Sequence, residues 1–221
     1  GKEWDAFKNK NSGKVILTQG QEREAKGLVE SVKNSPVAMG YVQSAQPEVS
    51  FFVELVIFEG VIYAPHYNVA MNKYGWEEAT LSKDQIKKGV SIVVKVRADA
   101  LGEDYVQDLK STTGNARSEF SMRQKISHYQ YDLSASLYLD MFSLHAGDQL
   151  TKFIWTFASK DFFNCKSYMA SPTNILVGRA KYMKALTKLA SLMTNKWQLW
   201  DSIGVLEPMN YELEYIKEKE L

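Results

Sequence analysis

The alternation of hydrophobic and polar residues from Tyr129 to Met141 is the most regular pattern in the chain. The odd-numbered positions are apolar or aromatic, and polar residues take most of the even positions between them. Because successive side chains of a strand point to opposite faces of its sheet, this period predicts a long strand with one buried face. The preceding apolar residues Phe120, Met122 and Ile126 are even-numbered, so we expect another strand there, separated by a bulge or bend at Ser127-His128.

Further strands follow from the same reasoning. The segment from Val49 to Phe58 is apolar on both parities except at Glu54, which is typical of a central strand that is covered on both faces. Glu59-Gly60 then predicts a tight turn into a hairpin partner. An aromatic strand near Phe153 is expected to pair as a hairpin with residues 133–142. The predicted strands cover residues 37–42, 49–58, 61–64, 92–96, 120–126, 129–141, 153–157 and 209–215.

Helical spacing of apolar residues predicts three main helices. One covers residues 21–33, is weakened by Gly27 and ends before Pro36. A short helix begins after Ser82 with the capping-box partner Gln85, and Gly89 is expected to end it in a left-handed conformation. A long amphipathic helix covers about 172–200, and its apolar stripe ends in Trp197 and Trp200, which we expect to pack in the core. Residues 103–117 are interpreted as a short helix and a mobile loop.

These elements predict an α+β fold that is mainly antiparallel β, a sandwich or a bent sheet, with the long C-terminal helix (172–200) packed on the sheet. The 221 residues, 45% hydrophobic and 24% charged, are typical of one globular domain covering 1–221, in which 1–13 form a flexible lead-in. No apolar run approaches the roughly 20 residues that a membrane-spanning helix needs.

Charge and cysteine content narrow the classes of partner. Lys and Arg number 27 against 26 Asp and Glu, so the net charge of +1 provides no global field, and nucleic acid is not expected as a partner. The single cysteine, Cys165, excludes an intramolecular disulfide framework. The chain begins Gly-Lys-Glu-Trp without an initiator Met, which suggests a removed signal peptide and favours an exported or envelope-associated protein.

Candidate catalytic residues are few. The three histidines, His66, His128 and His145, lie outside any HExxH spacing, and no Gly-x-Ser-x-Gly segment provides a serine nucleophile. The sequence therefore assigns no catalytic residue, no metal site and no cofactor. One alternative is an enzyme or metal-binding site assembled from the three histidines with nearby carboxylates, such as Asp132 and Asp148.

Tyrosines interspersed with histidines form the one grouping that resembles a recognition surface, because tyrosine combines rigid contact area with a polar tip. The predicted function is a non-enzymatic binding or structural module for a protein, peptide or carbohydrate ligand. A second alternative is a cytosolic protein that binds nucleic acid or an acidic partner through the lysine face of the long helix, Lys181, Lys184 and Lys188. The predicted ligand-binding residues are His66, Tyr67, His128, Tyr129 and Tyr131.

Overall fold

The fold is α+β, with one eight-stranded, mostly antiparallel sheet among the described residues, which are 1–147 and 150–194 of a computed structural model. The strand order is β4-β3-β2-β1-β5-β6-β7-β8. A single open sheet does not confirm the sandwich alternative. The helices are α1 Lys2–Lys10, α2 Gln19–Lys33, α3 Pro36–Gln43, α4 Lys83–Lys88, α5 Glu119–His128, α6 Tyr131–Ala146 and α7 Pro172–Thr194. The strands are β1 Gln46–Phe58, β2 Val61–Ala64, β3 Val69–Asn72, β4 Gly75–Glu78, β5 Val90–Leu101, β6 Tyr105–Thr112, β7 Lys152–Ser159 and β8 Cys165–Met169.

The centre of the sheet agrees with the sequence pattern. Strand β1 is interior to the sheet and pairs with β5 along most of its length, from Gln46↔Leu101 to Ile57↔Val90. Leu55, Val56 and Ile57 are buried in succession, as expected for a strand that is covered on both faces. Phe52 is 59% exposed, so the prediction of two covered faces does not hold for the first part of Val49 to Phe58. The turn to β2 has positive φ at Glu59 (49°) and Gly60 (80°). This matches the two-residue hairpin geometry that follows the twist of the strands, so the predicted hairpin is confirmed.

The pairing of β7 differs from the prediction. Residues 105–112, interpreted as helix and loop, form β6, and β7 runs parallel to it from Tyr105↔Lys152 to Thr112↔Ser159. The other neighbour of β7 is β8, so the predicted hairpin with 133–142 is wrong. Helices α5 and α6 make the crossover between the two parallel strands. Helices contact both faces of β7, α6 on one side and α2 on the other, which is why seven of its eight residues are buried.

The strand predicted from Tyr129 to Met141 is helix α6, so that prediction is wrong. Its polar residues Asp132, Ser136 and Asp140 recur every four positions and are buried, because they bind α7. Lys181 Nζ donates to Asp132 Oδ2 at 2.6 Å, and the Ser136 hydroxyl donates to the Ile175 carbonyl at 2.8 Å. Polar residues at helical spacing therefore lie inside the protein, whereas the odd-even pattern placed them in solvent.

Two other predicted strands are also helices. Residues 120–126 belong to α5, where Met122 and Ile126 are buried four residues apart on one face. Residues 37–42 belong to α3, where Ser35 accepts a capping hydrogen bond from the Ala38 N–H and Pro36 occupies the first turn. Pro36 was expected to stop the preceding helix, and it also begins the next one. A backbone N–H in the first turn has no intrahelical acceptor, so proline, which has no N–H, loses no hydrogen bond there.

The predicted helices are found as α2, α4 and α7. Helix α2 contains Gly27, where a Cβ would lie 2.3 Å from the Phe163 ring, so the absence of a side chain permits that contact. The capping box of α4 is present, but Gly89 has a φ of −74°, so its predicted left-handed conformation is wrong. Helix α7 packs on the sheet through β1, β2 and β5. Trp197, Trp200 and the predicted strand 209–215 lie outside the described residues.

The segment predicted as a lead-in contains α1, none of whose residues is buried. Within the described chain, no helix combines the length and apolar character that crossing a bilayer requires.

The contact between α6 and α7 depends on Gly178. A Cβ at this position would lie 1.9 Å from the Asp132 carbonyl oxygen, which belongs to the backbone and cannot move aside as a side chain can. We expect Gly178→Ala to lower the free energy of unfolding by about 1–3 kcal/mol through overpacking, as measured by urea denaturation. Gly40→Ala in α3 is the matched control because nothing lies within 4 Å of its Cβ, and this change should stabilise the protein by up to about 1 kcal/mol. Equal effects at the two glycines would contradict the close approach.

Candidate active site

A fork between β5 and β6 forms the candidate site. The two strands pair only at Ala100↔Gln107 and Leu101↔Val106, while on its other side β5 pairs with β1 along nearly its whole length. Asp99 lies immediately beyond the last pair, where the strands separate. Its Oδ2 accepts a hydrogen bond of 2.7 Å from the Leu109 N–H. The carboxylate therefore satisfies a backbone donor that no ladder bond reaches, and this interaction holds the side chain in the fork.

Asp108 and Lys110 project from β6 on one face, one position on either side of Leu109. Their pairing partners on β7, Trp155 and Phe157, belong to the hydrophobic core on the α6 side of the sheet. Lys110 Nζ donates to Asp108 Oδ1 at 2.8 Å, and the Lys110 and Asp108 side chains are 30% and 14% exposed, respectively. The fork thus contains two carboxylates and one ammonium group in a partly desolvated position.

Burial raises the pKa of Asp108, and repulsion by the neighbouring Asp99 raises it further, while the hydrogen bond from Lys110 opposes both effects. The net pKa lies above the ordinary value for Asp. Two carboxylates that repel each other in a desolvated place are stabilised by a cation between them. The arrangement therefore favours binding of a positively charged ligand.

For the pKa of Lys110, the hydrogen-bond partner has a larger effect than burial. Burial lowers its pKa, but the hydrogen bond to Asp108 and the charge of that carboxylate outweigh burial, so the net pKa is raised. Lys110 is consequently protonated at neutral pH. It can donate to, and electrostatically stabilise, an anionic group, but it does not supply a general base.

The donor set fits a hard divalent cation such as Mg²⁺. This ion is usually held by one or two carboxylates, with waters and substrate phosphate oxygens completing its shell, and Asp99 and Asp108 are such a pair. Among residues 1–147 and 150–194, no group of three or more His, Cys, Asp or Glu side chains is placed to hold a metal ion. Zn²⁺, which takes three or four protein ligands, is therefore a poorer fit to the described residues.

Three of the five predicted ligand-binding residues lie beside this fork. The Tyr131 ring is 5.1 Å from Lys110 Nζ, close enough for a cation–π interaction. Burial raises the pKa of Tyr131, although the charge of Lys110 opposes this. Tyr129 stacks on Tyr131 with ring centroids 5.5 Å apart and an angle of 24° between the planes, and His128 meets Tyr129 edge to face at 4.7 Å.

The other two predicted residues lie elsewhere, in the 3-10 turn Pro65–Tyr67 after β2. His66 Nε2 is 3.4 Å from Glu54 Oε2, and Tyr67 lines a separate cavity of about 370 Å³ with Trp76 and Asp140. The five residues therefore divide into two groups, and only the tyrosine group adjoins the fork.

The histidine site proposed as an alternative is not assembled. His66 contacts Glu54, His128 contacts Tyr129, and His145 packs against Phe51 with ring centroids 5.2 Å apart. No aromatic or ionic contact in the described part of the chain joins two of these imidazoles. Asp148, the suggested partner of His145, lies outside the described residues.

The lysine face differs from the sequence-based alternative, and the cysteine is not placed as a nucleophile. Lys181 is bound to Asp132, so of the three lysines only Lys184 and Lys188 are exposed. Cys165 is buried, and burial raises the pKa of its thiol above the ordinary value. A thiol with a raised pKa is less ionised at neutral pH, which disfavours a nucleophilic role.

A mostly antiparallel sheet covered by helices, with two acids and a lysine where adjacent strands separate, places the chain among α+β proteins with an acid–lysine site. The chain belongs to the family described as a PDDEXK-like domain of unknown function (DUF3799), whose model matches residues 2–198. Read as one-letter codes, the end of that designation is an acidic residue, any residue and a lysine, which Asp108-Leu109-Lys110 satisfies. Ala98 precedes Asp99, so the proline of the designation is missing here.

The chain is also similar to solved structures. One is a "putative exonuclease" from Eubacterium rectale, at 14% sequence identity and a TM-score of 0.53, covering 95% of this chain and 72% of that chain. At this identity the similarity concerns the fold alone. A second structure, SSO0001, has 17% identity and a TM-score of 0.33 over 75% of this chain and 68% of that chain, which is too low a score to define a common fold. No curated protein matches the chain.

The family assignment corrects two functional predictions. The prediction of a non-enzymatic binding module with a β-sandwich fold is wrong, because the chain matches a PDDEXK-like domain over residues 2–198. The same match overturns the expectation that nucleic acid is not a partner. The whole-chain charge misled here because net charge sums over the surface and does not report a few groups at one site.

Sequence reasoning missed Asp99, Asp108 and Lys110. One available signal was Asp99 between Ala98 and Ala100, a carboxylate between two alanines just beyond the predicted strand 92–96. The other was the acid-x-lysine triplet a few residues later. Both were overlooked because residues 103–117 were interpreted as helix and loop, which removed the second strand that aligns these side chains.

Proposed function

We propose that this protein is a divalent-metal-dependent nuclease that hydrolyses phosphodiester bonds. The observation that carries the proposal is the convergence of Asp99, Asp108 and Lys110 at the β5–β6 fork of a PDDEXK-like chain. Two carboxylates and a cationic donor are the groups that phosphodiester cleavage needs for holding a metal ion and stabilising phosphate charge.

Each residue of the fork has a role that follows from its contacts. Asp99 and Asp108 would hold the cation, which when bound polarises a phosphate oxygen and lowers the pKa of water. Asp99 is held in position by the Leu109 N–H, and Asp108 by Lys110. The protonated Lys110 donates to a non-bridging phosphate oxygen and stabilises the negative charge that develops during attack. The core side chains behind β6 keep this ammonium partly desolvated, which strengthens its interaction with the anion.

The proposal is tested by incubating end-labelled single- and double-stranded DNA and RNA with the protein, in Mg²⁺ or in EDTA. We expect cleavage in Mg²⁺ only, and a loss of about 100-fold or more in Asp99→Asn, which removes an anionic ligand of the cation. The asparagine oxygen can still accept the Leu109 N–H bond, so the free energy of unfolding should be nearly unchanged. Asp84→Asn, at an exposed position of α4, is the matched control and should retain wild-type activity.

Thermal unfolding supplies a second measurement. A cation present at about 100 times its Kd adds about 2.7 kcal/mol to the stability of the folded state. Mg²⁺ should therefore raise the Tm of the wild type and of Asp84→Asn by several degrees, but that of Asp99→Asn by much less. A wild-type protein without metal-dependent cleavage of any of these nucleic acids, or an Asp99→Asn variant with full activity, would overturn the proposal.

A further inference from the structure

We infer that Tyr129 and Tyr131 form a stacking platform for an unpaired nucleobase next to the phosphate that Lys110 contacts. This inference rests on the proposed nuclease function and specifies which substrates the same site accepts. Four observations carry it: the backbone at the α5–α6 junction, the geometry of the ring pair, the contact of the inner ring with Lys110, and the exposure of the outer ring.

The junction between α5 and α6 brings the two rings together. Residues two apart on a continuous helix do not face each other. Here α5 ends at His128, and Gln130 adopts the left-handed conformation (φ 55°, ψ 37°) before α6 begins at Tyr131. The Gln130 side chain donates to the Ser127 carbonyl at 2.9 Å and holds this turn. The reversal places the Tyr129 and Tyr131 rings nearly parallel, 5.5 Å apart.

The inner ring, Tyr131, packs against residues of β6 and β7. It packs against Phe157 with ring centroids 6.3 Å apart, and Lys110 Nζ lies 5.1 Å from its centre. Lys110 in turn is bound to Asp108. Tyr131 therefore contacts both the ammonium group that binds substrate phosphate in the proposed mechanism and the outer ring, so a base on the outer ring belongs to a nucleotide near that phosphate.

The outer ring is open to solvent, since Tyr129 is 57% exposed. An exposed ring that is already oriented by a second ring offers a base a flat apolar surface at little cost in conformational entropy. Every base has a π-face, so such a platform is tolerant of sequence. A base inside a duplex is already stacked on both faces and cannot use the platform, which therefore favours single strands or frayed ends.

The test separates stacking from catalysis. Asp108→Asn serves as a cleavage-deficient background, and 2-aminopurine placed at successive positions of a single-stranded DNA oligonucleotide reports stacking through fluorescence quenching. We expect quenching at one position, and a Kd about 5- to 150-fold weaker when Tyr129→Leu is added, as removal of one base–aromatic stack predicts. Tyr129→Phe keeps the ring and is the matched control, with a Kd within about twofold of its parent.

In proteins that retain Asp108, cleavage should show the same selectivity. Tyr129→Leu should lower kcat/KM for single-stranded DNA by a similar factor, and Tyr129→Phe should not. If Tyr129→Leu matches Tyr129→Phe in affinity, quenching and cleavage while the wild type remains an active nuclease, the stacking inference fails and the nuclease proposal stands. If the wild type neither binds nor cleaves nucleic acid, both fail together.

Discussion

Lys110→Met lowers the metal-dependent cleavage rate by about 100- to 1000-fold, the effect expected when one preorganised donor to a developing negative charge is removed. Methionine keeps the length and the apolar stem of the side chain but cannot donate to phosphate. Because Asp108 raises the pKa of Lys110, the ammonium is the form that acts, and the loss should appear in kcat rather than in KM. Steady-state kinetics on a labelled oligonucleotide measures both constants.

The matched control for this change is Lys87→Met, at an exposed position of α4 away from the fork, which should leave both constants unchanged.

The pH profile of cleavage separates the role of Asp108 from that of Lys110. The raised pKa of Asp108 means that this carboxylate protonates at a higher pH than an ordinary Asp, so activity should be present above that pKa and lost as the pH falls through it. An active Lys110→Met variant would remove Lys110 from the mechanism.

Arg179→Met lowers the free energy of unfolding by about 3–5 kcal/mol, the usual cost of leaving one member of a buried ion pair unpaired. Arg179 is 4% exposed and donates from Nε and Nη2 to the two oxygens of Asp140, at 2.8 and 2.7 Å. Its Nη1 also donates to the Lys73 carbonyl at 3.1 Å, which ties α7 to the β3–β4 turn. Removal of the guanidinium leaves a buried carboxylate whose remaining side-chain donor is the Tyr182 hydroxyl, at 2.6 Å. Urea denaturation measures the change.

Two further variants define the cause of this loss. Arg123→Met breaks an exposed pair with Glu119, whose atoms are 3.9 Å apart, and should change stability by less than about 0.5 kcal/mol. Burial and the neighbouring Asp140 raise the pKa of Tyr182 well above its ordinary value, so its hydroxyl stays a donor across the neutral range. The triple variant Arg179→Met, Asp140→Leu, Tyr182→Phe leaves no charge behind and should recover most of the loss. A single variant no worse than Arg123→Met would show that the buried pair contributes little.

The elements that sequence reasoning found are those whose signals are local. The Glu59-Gly60 turn, the capping box of Ser82 and Gln85, and the spacing of apolar residues in α2 depend on neighbours within a few positions. These signals were read correctly because local backbone chemistry determines them. The apolar run Leu55 to Phe58 of β1 was equally informative, since such a run is typical of a covered strand or a buried helix.

The failures occurred where a residue's environment is set by a distant partner. Asp132 and Asp140 read as solvent-facing residues of a strand until Lys181 and Arg179, about 40 to 50 positions later, are placed beside them. The assignments of the region around β6 failed for a related reason, because a parallel pair joins strands that a crossover separates in sequence. The weak preference for an exported protein stays a prediction, since neither fold nor family bears on the compartment.

By itself, the sequence determined the α+β class, the central strands and three of the helices. Only the tertiary structure decided that Asp99 and Asp108 meet, that Lys110 completes the pair, and that Tyr129 and Tyr131 lie beside them. The physical reason is that a site made of one strand's acid, the next strand's acid and lysine, and a helix junction has no characteristic spacing along the chain. Its geometry follows from where β5 and β6 separate, which depends on pairing across the sheet.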